Sequence, residues 1–356
     1  MIALKNIAVL GGGGTGCTIA ANLTLAGQNV ALYEHFQHWE NLREIQKNGG
    51  VIHLTGQIFN GDAKINRITD NMREAVQKAE IVFIAVIAGR HESLCKELAP
   101  LLRDGQVICF SAGYCASIIL RKHLPKDRDV IIGEMQGNVY SCRMVNSTTA
   151  FSATPYTPKK VSAFPAKDTN KLVEALSEIY PCSPCKNVLE AALNSPNVSG
   201  HLAGSLLNTC AIESNPDFRL YADGLSEGVL RCIQAVEEEK CAVMEAAGLT
   251  CERHLGMVAR LMQYDSFPEL DDFRSLSGPN SMKHRYIVED ASTGQALLIS
   301  LGEAVHVPTP YSQALVTLAS AINQMDYHAH ARTIQELGIN NMSVDEINQY
   351  LETSAN

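Results

Sequence analysis

The sequence predicts an α/β domain built on a doubly wound, mostly parallel sheet, followed by an all-α C-terminal domain. Three observations lead there. A short apolar strand runs straight into a glycine cluster and then a helical pattern. Apolar, β-branched runs then alternate with helical spacing to about residue 135. After about residue 187 the spacing becomes almost wholly helical. The length of 356 residues suits two domains at about 150 residues each. We place the boundary within 165 to 187 and divide the chain into 1–175 and 176–356.

Asn6 to Leu10 reads as the first strand, Thr15 to Ala26 as a helix stopped by Gly27, and Asn29 to Tyr33 as the second strand. Gly50 to Asp62 alternates Gly, Thr and Asn and reads as a hairpin. Ile81 to Ile87 is a strand buried on both faces, followed by a helix over Glu92 to Leu102. Val107 to Phe110 and Asp129 to Gly133 are further strands, with a helix over Ala116 to His123 between them. This repetition implies right-handed crossovers. Thr154-Pro155-Tyr156-Thr157-Pro158, Phe164-Pro165 and Pro181-Cys182-Ser183-Pro184 then punctuate a stretch with no clear long element. Ser226 to Ala247, Thr293 to Ala304 and Gln313 to Met325 carry helical spacing. Met342 to Asn356 reads as a helix capped by Ser343 and Glu346.

Composition narrows the function. With 46% hydrophobic and 19% charged residues the chain is no disordered polymer. A net charge of -9 disfavours nonspecific nucleic-acid binding and attraction to anionic membranes. The longest strongly apolar run, Ile81 to Ala88, falls far short of the roughly 20 residues that span a bilayer. Met1-Ile2-Ala3-Leu4-Lys5 leads directly into a strand with no signal-peptide pattern, so a cytoplasmic protein is expected. Eleven cysteines then read as reduced thiols.

Gly11-Gly12-Gly13-Gly14-Thr15-Gly16 satisfies G-x-G-x-x-G between a strand and a helix, the context of a Rossmann dinucleotide loop. Gly11 allows the tight turn, Gly13 the approach of a pyrophosphate, and Gly16 close packing of helix on strand. The pyrophosphate would sit on the helix N-terminal amides. Glu34 ends the next strand 18 residues after Gly16. A carboxylate there can bind both ribose hydroxyls and repels a 2′-phosphate, which favours NAD over NADP. His35 and Arg43 lie close enough in sequence to greet a phosphate, so NADP stays the alternative. The predicted cofactor residues are Gly11, Gly13, Gly14, Gly16 and Glu34.

Hydride chemistry in a cleft between two domains needs a proton donor, and histidine is the natural one near neutral pH. Of the eleven, His35, His38, His53 and His91 fall in or beside the nucleotide domain, and His123, His328 and His330 read as surface positions. His201 stands out. It sits in Asn194-Ser195-Pro196-Asn197-Val198-Ser199-Gly200-His201, a loop-like run before the helical pattern Leu202 to Ile212.

The run Asn194 to Glu213 resembles the histidine-centred signature of the octopine/nopaline dehydrogenases, the opine dehydrogenase family. Tyr221-Ala222-Asp223-Gly224, Glu237-Glu238-Glu239-Lys240, Arg285-Tyr286-Ile287-Val288-Glu289-Asp290 and Val307-Pro308-Thr309-Pro310 are similar and in family order. So are Gly49 to Gly56 and Asn138 to Arg143. The resemblance implies reductive condensation of a 2-oxo acid with the amine of an amino acid, through an imine reduced by NAD(P)H. It implies His201 as general acid/base, Asp290 as its orienting carboxylate, and Arg285 as a binder of a substrate carboxylate. Arg143 and Asn197 are further substrate-binding candidates. Spacing alone does not choose Asp290 over Glu289, which is the i+4 partner of Arg285 in a helix. The chain departs from the family pattern at Leu202, Lys240 and Ile87-Ala88-Gly89-Arg90-His91. The expected partners are small molecules, with a homodimer as the candidate assembly. The rival readings are an oxo-acid or hydroxy-acid dehydrogenase that needs no amine, and a noncatalytic nicotinamide-binding sensor.

Two further signals point to structure. Cys182-Ser183-Pro184-Cys185 lacks a second ligand pair nearby, and His328-Ala329-His330 has poor spacing for a helical metal pair, so no metal site is expected. Glu237 to Glu239 reads as a solvated helix face.

Overall fold

The computed structural model describes residues 4–329 and 331–354. The readings of Met1 to Ala3, of His330 and of the last two residues of the C-terminal helix lie outside the described residues. The chain divides into two compact units, Met1–Val188 and Leu189–Asn356. The division falls beyond the 175/176 boundary of the sequence reading. The reason is a late strand that still belongs to the first unit's sheet.

That sheet has eight strands: β1 (Asn6–Leu10), β2 (Asn29–Tyr33), β5 (Arg67–Thr69), β6 (Ile81–Ile84), β7 (Val107–Phe110), β8 (Ile131–Met135), β11 (Lys159–Ala163) and β12 (Cys182–Pro184). Their order is β12-β11-β8-β7-β6-β1-β2-β5. All neighbours are parallel except β11 against β8. β1 lies between β2 and β6, so the chain leaves it to one side and later returns to the other. Ligands of doubly wound sheets bind at such a reversal, outside the strands' carboxyl ends. The glycine cluster follows the carboxyl end of β1.

β3 (Val51–Gly56) and β4 (Gly61–Lys64) form the expected hairpin. It joins β9 (Cys142–Asn146) and β10 (Thr149–Ser152) in a separate sheet of order β4-β3-β10-β9. The stretch read as lacking clear elements holds β11, the helix Thr169–Ser177 and β12. These strands are three to five residues long, and partners distant in sequence hold them in place. The strand read over Ile81 to Ile87 stops at Ile84, and Ile87 is 53% exposed on a tight turn.

The second unit is helical. Glu227–Ala246 is its longest helix, with Ser226 as N-cap accepting from the Val229 amide. Pro310–Asn323 begins earlier than expected because Pro310 suits the first helical turn. Val344–Thr353 has the predicted reciprocal capping between Ser343 and Glu346. Two sequence readings are corrected here. Glu237 and Glu239 are buried, so Glu237 to Glu239 is no solvated face and only Glu238 is exposed. Cys241 and Cys251 form a disulfide, so the eleven cysteines are not all free thiols. The long helix turns back at once, which brings their Cα atoms to 5.1 Å. Among the described residues, no helix is long and apolar enough to cross a membrane.

Gly16 is the most tightly packed of the first unit's described glycines. A Cβ there would stand 1.8 Å from the Gly11 carbonyl oxygen. Gly16→Ala should therefore cost about 2–3 kcal/mol by overpacking, read as a fall in Tm of roughly 5–10 °C. An unchanged melting temperature would refute this packing account.

Candidate active site

The first group of candidate residues is built on the turn after β1. The Gly11 amide donates to the Tyr33 carbonyl at 2.8 Å, fixing the turn to the end of β2. The helix Gly14–Leu25 follows with Gly13 as its N-cap, and no side chain caps it. Its first amides are therefore available to an anion. The loop fits a dinucleotide sterically. Cβ atoms at Gly11 and Gly16 would strike backbone, whereas one at Gly13 would meet nothing within 4 Å among the described residues. Gly14 packs near the Arg143 backbone, 3.5 Å from its Cα for an added Cβ.

Glu34 directly follows the last residue of β2, Tyr33. Its two carboxylate oxygens accept from the amides of Gly12 and His35, both at 2.8 Å. Each oxygen keeps a lone pair for a further donor. A cavity of about 220 Å³ adjoins, lined by Gly13, Tyr33, Glu34, His35, His38 and Arg90 among others. Arg90, hydrogen-bonded to His38, is the arginine of this cavity, and Arg43 is not among its lining. Sequence proximity pointed to Arg43 because Arg90 arrives from the far side of β1. Arg143 lies in β9 of the same unit, half-buried, and donates to the Cys142 carbonyl.

The second group lies in the helical unit. His201 is inside a helix, Asn197–Leu206, and not in a loop before one. Pro196 stands at the N-cap and confines the irregular segment to Asn194–Pro196. Val198, His201, Leu202 and Ser205 then bury one face. Asn197 opens this helix one turn before His201 and is half-buried.

Arg285 and Asp290 begin and end the helix Arg285–Asp290. The structure brings Asp290, not Glu289, to the histidine. Its Oδ2 lies 2.8 Å from His201 Nδ1, with the two residues 1% and 6% exposed. Glu289 instead faces Arg285 at 3.6 Å, the local i+4 pair. Arg285 also lies 5.2 Å from the Tyr286 ring centroid.

The backbone after Asp290 explains how this helix serves two neighbours on one face. Residues Ala291–Gln295 form a π-helical turn before the α-helix resumes at Ala296–Ala304. Residues five apart would point about 140° apart on an α-helix, at about 100° per residue. An i→i+5 turn places them one above the other. Asp290 reaches His201, and Gln295 donates to the Val198 carbonyl on the same helix.

Two tyrosines complete the group, and sequence reasoning gave neither a role. The Tyr286 ring stacks on His201 with centroids 3.6 Å apart and planes 19° from parallel. The Tyr221 hydroxyl lies 2.9 Å from His201 Nε2 and donates to the Tyr286 hydroxyl at 3.4 Å. Tyr221 was visible only as part of the Tyr221 to Gly224 run, and Tyr286 only as the residue after Arg285. No other signal could have marked them, since they reach His201 from distant segments.

With this geometry in place, comparison with known proteins is informative. Residues 184–323 match the sequence model of the NAD/NADP octopine/nopaline dehydrogenase alpha-helical domain. Residues 7–140 match that of the ketopantoate reductase PanE/ApbA. The chain therefore resembles a ketopantoate-reductase-type domain followed by an octopine/nopaline-dehydrogenase-type helical domain. An opine dehydrogenase from Arthrobacter sp. (strain 1C) is 28% identical over 99% of this chain and 100% of its own length. An octopine dehydrogenase solved with NADH and L-arginine has a TM-score of 0.70 at 16% identity, covering 99% of both chains. The same enzyme solved with NADH and pyruvate gives 0.70 at 18%, over 97% of this chain and 98% of that one. The likeness over both domains is to NAD(P)-dependent oxidoreductases.

A buried polar network holds the segment that leads into the His201 helix. The Asn194 side chain donates to the Thr250 carbonyl at 2.8 Å and accepts from the Glu252 amide at 2.7 Å. Glu190 accepts from the Thr250 amide and His254 bonds the Asn194 carbonyl. Glu237 receives the His254 and Leu255 amides. Lys240, fully buried, donates to the Glu252 carbonyl at 2.7 Å.

Burial lowers the Lys240 pKa from 10.5 to about 8, against the opposing pull of Glu237 and Glu252. Below about pH 8 the amine is charged in both folded and unfolded chains. Between about 8 and 10.5 the unfolded chain holds a proton that the fold has released, so this contribution to stability rises with pH. Measured against Lys240→Met, the wild-type protein should gain stability across that window and show a constant difference from pH 6 to 7. A difference that stays flat up to pH 10.5 would remove the assignment.

Proposed function

We propose that the protein catalyses the NAD(P)H-dependent reductive condensation of a 2-oxo acid with the amine of an amino acid. The observation that carries this is the Asp290–His201 pair, buried under the Tyr286 ring in the octopine/nopaline-dehydrogenase-type helical domain. The pyruvate and L-arginine in the octopine dehydrogenase structures support the two substrate classes.

The nicotinamide, when bound, supplies the hydride. Glycines 11, 13, 14 and 16 would hold its pyrophosphate on the helix amides, and Glu34 would accept from the ribose hydroxyls. That carboxylate favours NADH, with NADPH as the second cofactor. His201 acts as general acid/base. A buried carboxylate at Nδ1 fixes the tautomer with Nε2 directed to the reaction, and stabilises the imidazolium once it forms. Arg285 exchanges its 3.6 Å partner Glu289 for a substrate carboxylate, a contact suited to its planar fork. Arg143 serves a second carboxylate or the cofactor side of the substrate, and Asn197 offers an amide one turn from His201.

His201→Ala should lower kcat at least about a hundredfold while NADH affinity is retained. Equal turnover would end the assignment. NADH oxidation with pyruvate should require an added amino acid, and product mass should equal the acid plus the amine, less one oxygen. Amine-independent oxidation would establish the simpler oxo-acid dehydrogenase instead. Glu34→Ser should raise NADPH use relative to NADH, measured as the ratio of kcat/KM. An unchanged ratio would mean that Glu34 does not read the ribose.

A further inference from the structure

Both nitrogens of His201 are already engaged. Nδ1 meets Asp290 and Nε2 meets the Tyr221 hydroxyl at 2.9 Å. One ring face lies against Tyr286, and the residue is 6% exposed. The nitrogen that should exchange a proton with substrate is therefore covered by a phenol. Tyr221 is itself only half-buried, while Tyr286, its hydroxyl neighbour, is 2% exposed. From the imidazole outward, the next group in the series Asp290–His201–Tyr221 is the Tyr221 hydroxyl, which also holds a long 3.4 Å contact with the Tyr286 hydroxyl.

Resting on the reading of His201 as the acid/base, we propose that Tyr221 is the catalytic residue that touches substrate and relays the His201 proton. A phenol suits this because its oxygen donates and accepts at once. In the dehydrating step, the carbinolamine hydroxyl takes the phenolic proton, and the phenol oxygen takes the Nε2 proton of the imidazolium. The carbon–oxygen bond breaks, and water leaves with that electron pair. The nitrogen lone pair forms the carbon–nitrogen double bond. Tyrosine is neutral before and after, and His201 ends neutral beside Asp290. The reverse shift recharges the imidazole from a substrate proton. The Tyr221 ring packs on Phe273 with centroids 4.6 Å apart, a contact that fixes the phenol independently of its hydroxyl.

Tyr221→Phe keeps that ring contact and removes the relay. With a 2-oxo acid and an amino acid as substrates, turnover should fall at least about a hundredfold, with NADH affinity and melting temperature close to wild type. The rate in mixtures of light and heavy water should report two protons in flight for the wild type, as a bowed dependence on deuterium fraction. It should be linear for Tyr221→Phe. Turnover of Tyr221→Phe within threefold of wild type, with His201→Ala inactive, would overturn the relay and leave the acid/base role of His201 standing. A linear wild-type dependence would assign the Tyr221 hydroxyl to holding the imidazole and also overturn the relay. Activity in His201→Ala would instead defeat the reading on which it rests.

Discussion

Asp290 and His201 face each other with almost no access to water, and neither could be buried without the other. A lone carboxylate in such a place carries a desolvation cost of several kcal/mol. The imidazole N–H at 2.8 Å offsets part of that cost and, in return, has its tautomer fixed. The stacked Tyr286 ring then leaves the imidazole little room to turn. Helices far apart in sequence must meet correctly for this contact to exist. Much of the helical unit's polar interior can be understood as the support for that meeting.

That support is local to each helix. The entry to the His201 helix is gripped by the Asn194, Glu190 and Glu237 hydrogen bonds to the loop after Ala247, and Lys240 and the Cys241–Cys251 disulfide tie the same loop to the long helix. Glu239 plays a matching part by receiving the Tyr311 and Ser312 amides at the start of Pro310–Asn323. The nucleotide-type unit solves a different problem, close approach of backbone to backbone, and uses glycine for it. Gly11 and Gly16 are compressed against main-chain atoms while Gly13 stays open, so one short loop separates its packing glycines from the one that faces outward.

These differences explain what could be read in advance. The strands Asn6–Leu10, Asn29–Tyr33 and Val107–Phe110 matched their readings because each is a compact apolar run between clear breakers. β11 and β12 were missed because a polar, proline-flanked segment becomes a strand only when a partner strand supplies the hydrogen bonds. Glu237 and Glu239 were misread because helical periodicity reports a face, and three consecutive acids look like an outer one. Their burial depends on backbone amides brought by other segments. The His201 helix looked like a loop because Asn, Ser, Pro and Gly are poor helix residues, yet burial of Val198 and Leu202 outweighs that local preference. Asp290 was chosen over Glu289 through family resemblance, since both choices are one residue apart and only the tertiary contact distinguishes them.

The wide turn at Ala291–Gln295 has a structural corollary. It amounts to one residue too many in an otherwise regular spiral, so the rod from Arg285 to Ala304 is two cylinders set out of phase. The first presents the acid that governs the imidazole, and the second presents Leu297, Leu298 and Leu301 to the interior. Because the rotational settings of the two are independent, the chemistry at one end need not compromise the hydrophobic fit at the other. A single-codon deletion in this stretch would let the spiral close as a regular α-helix, with Gln295 then four residues and still about one turn beyond Asp290, given about 100° per residue.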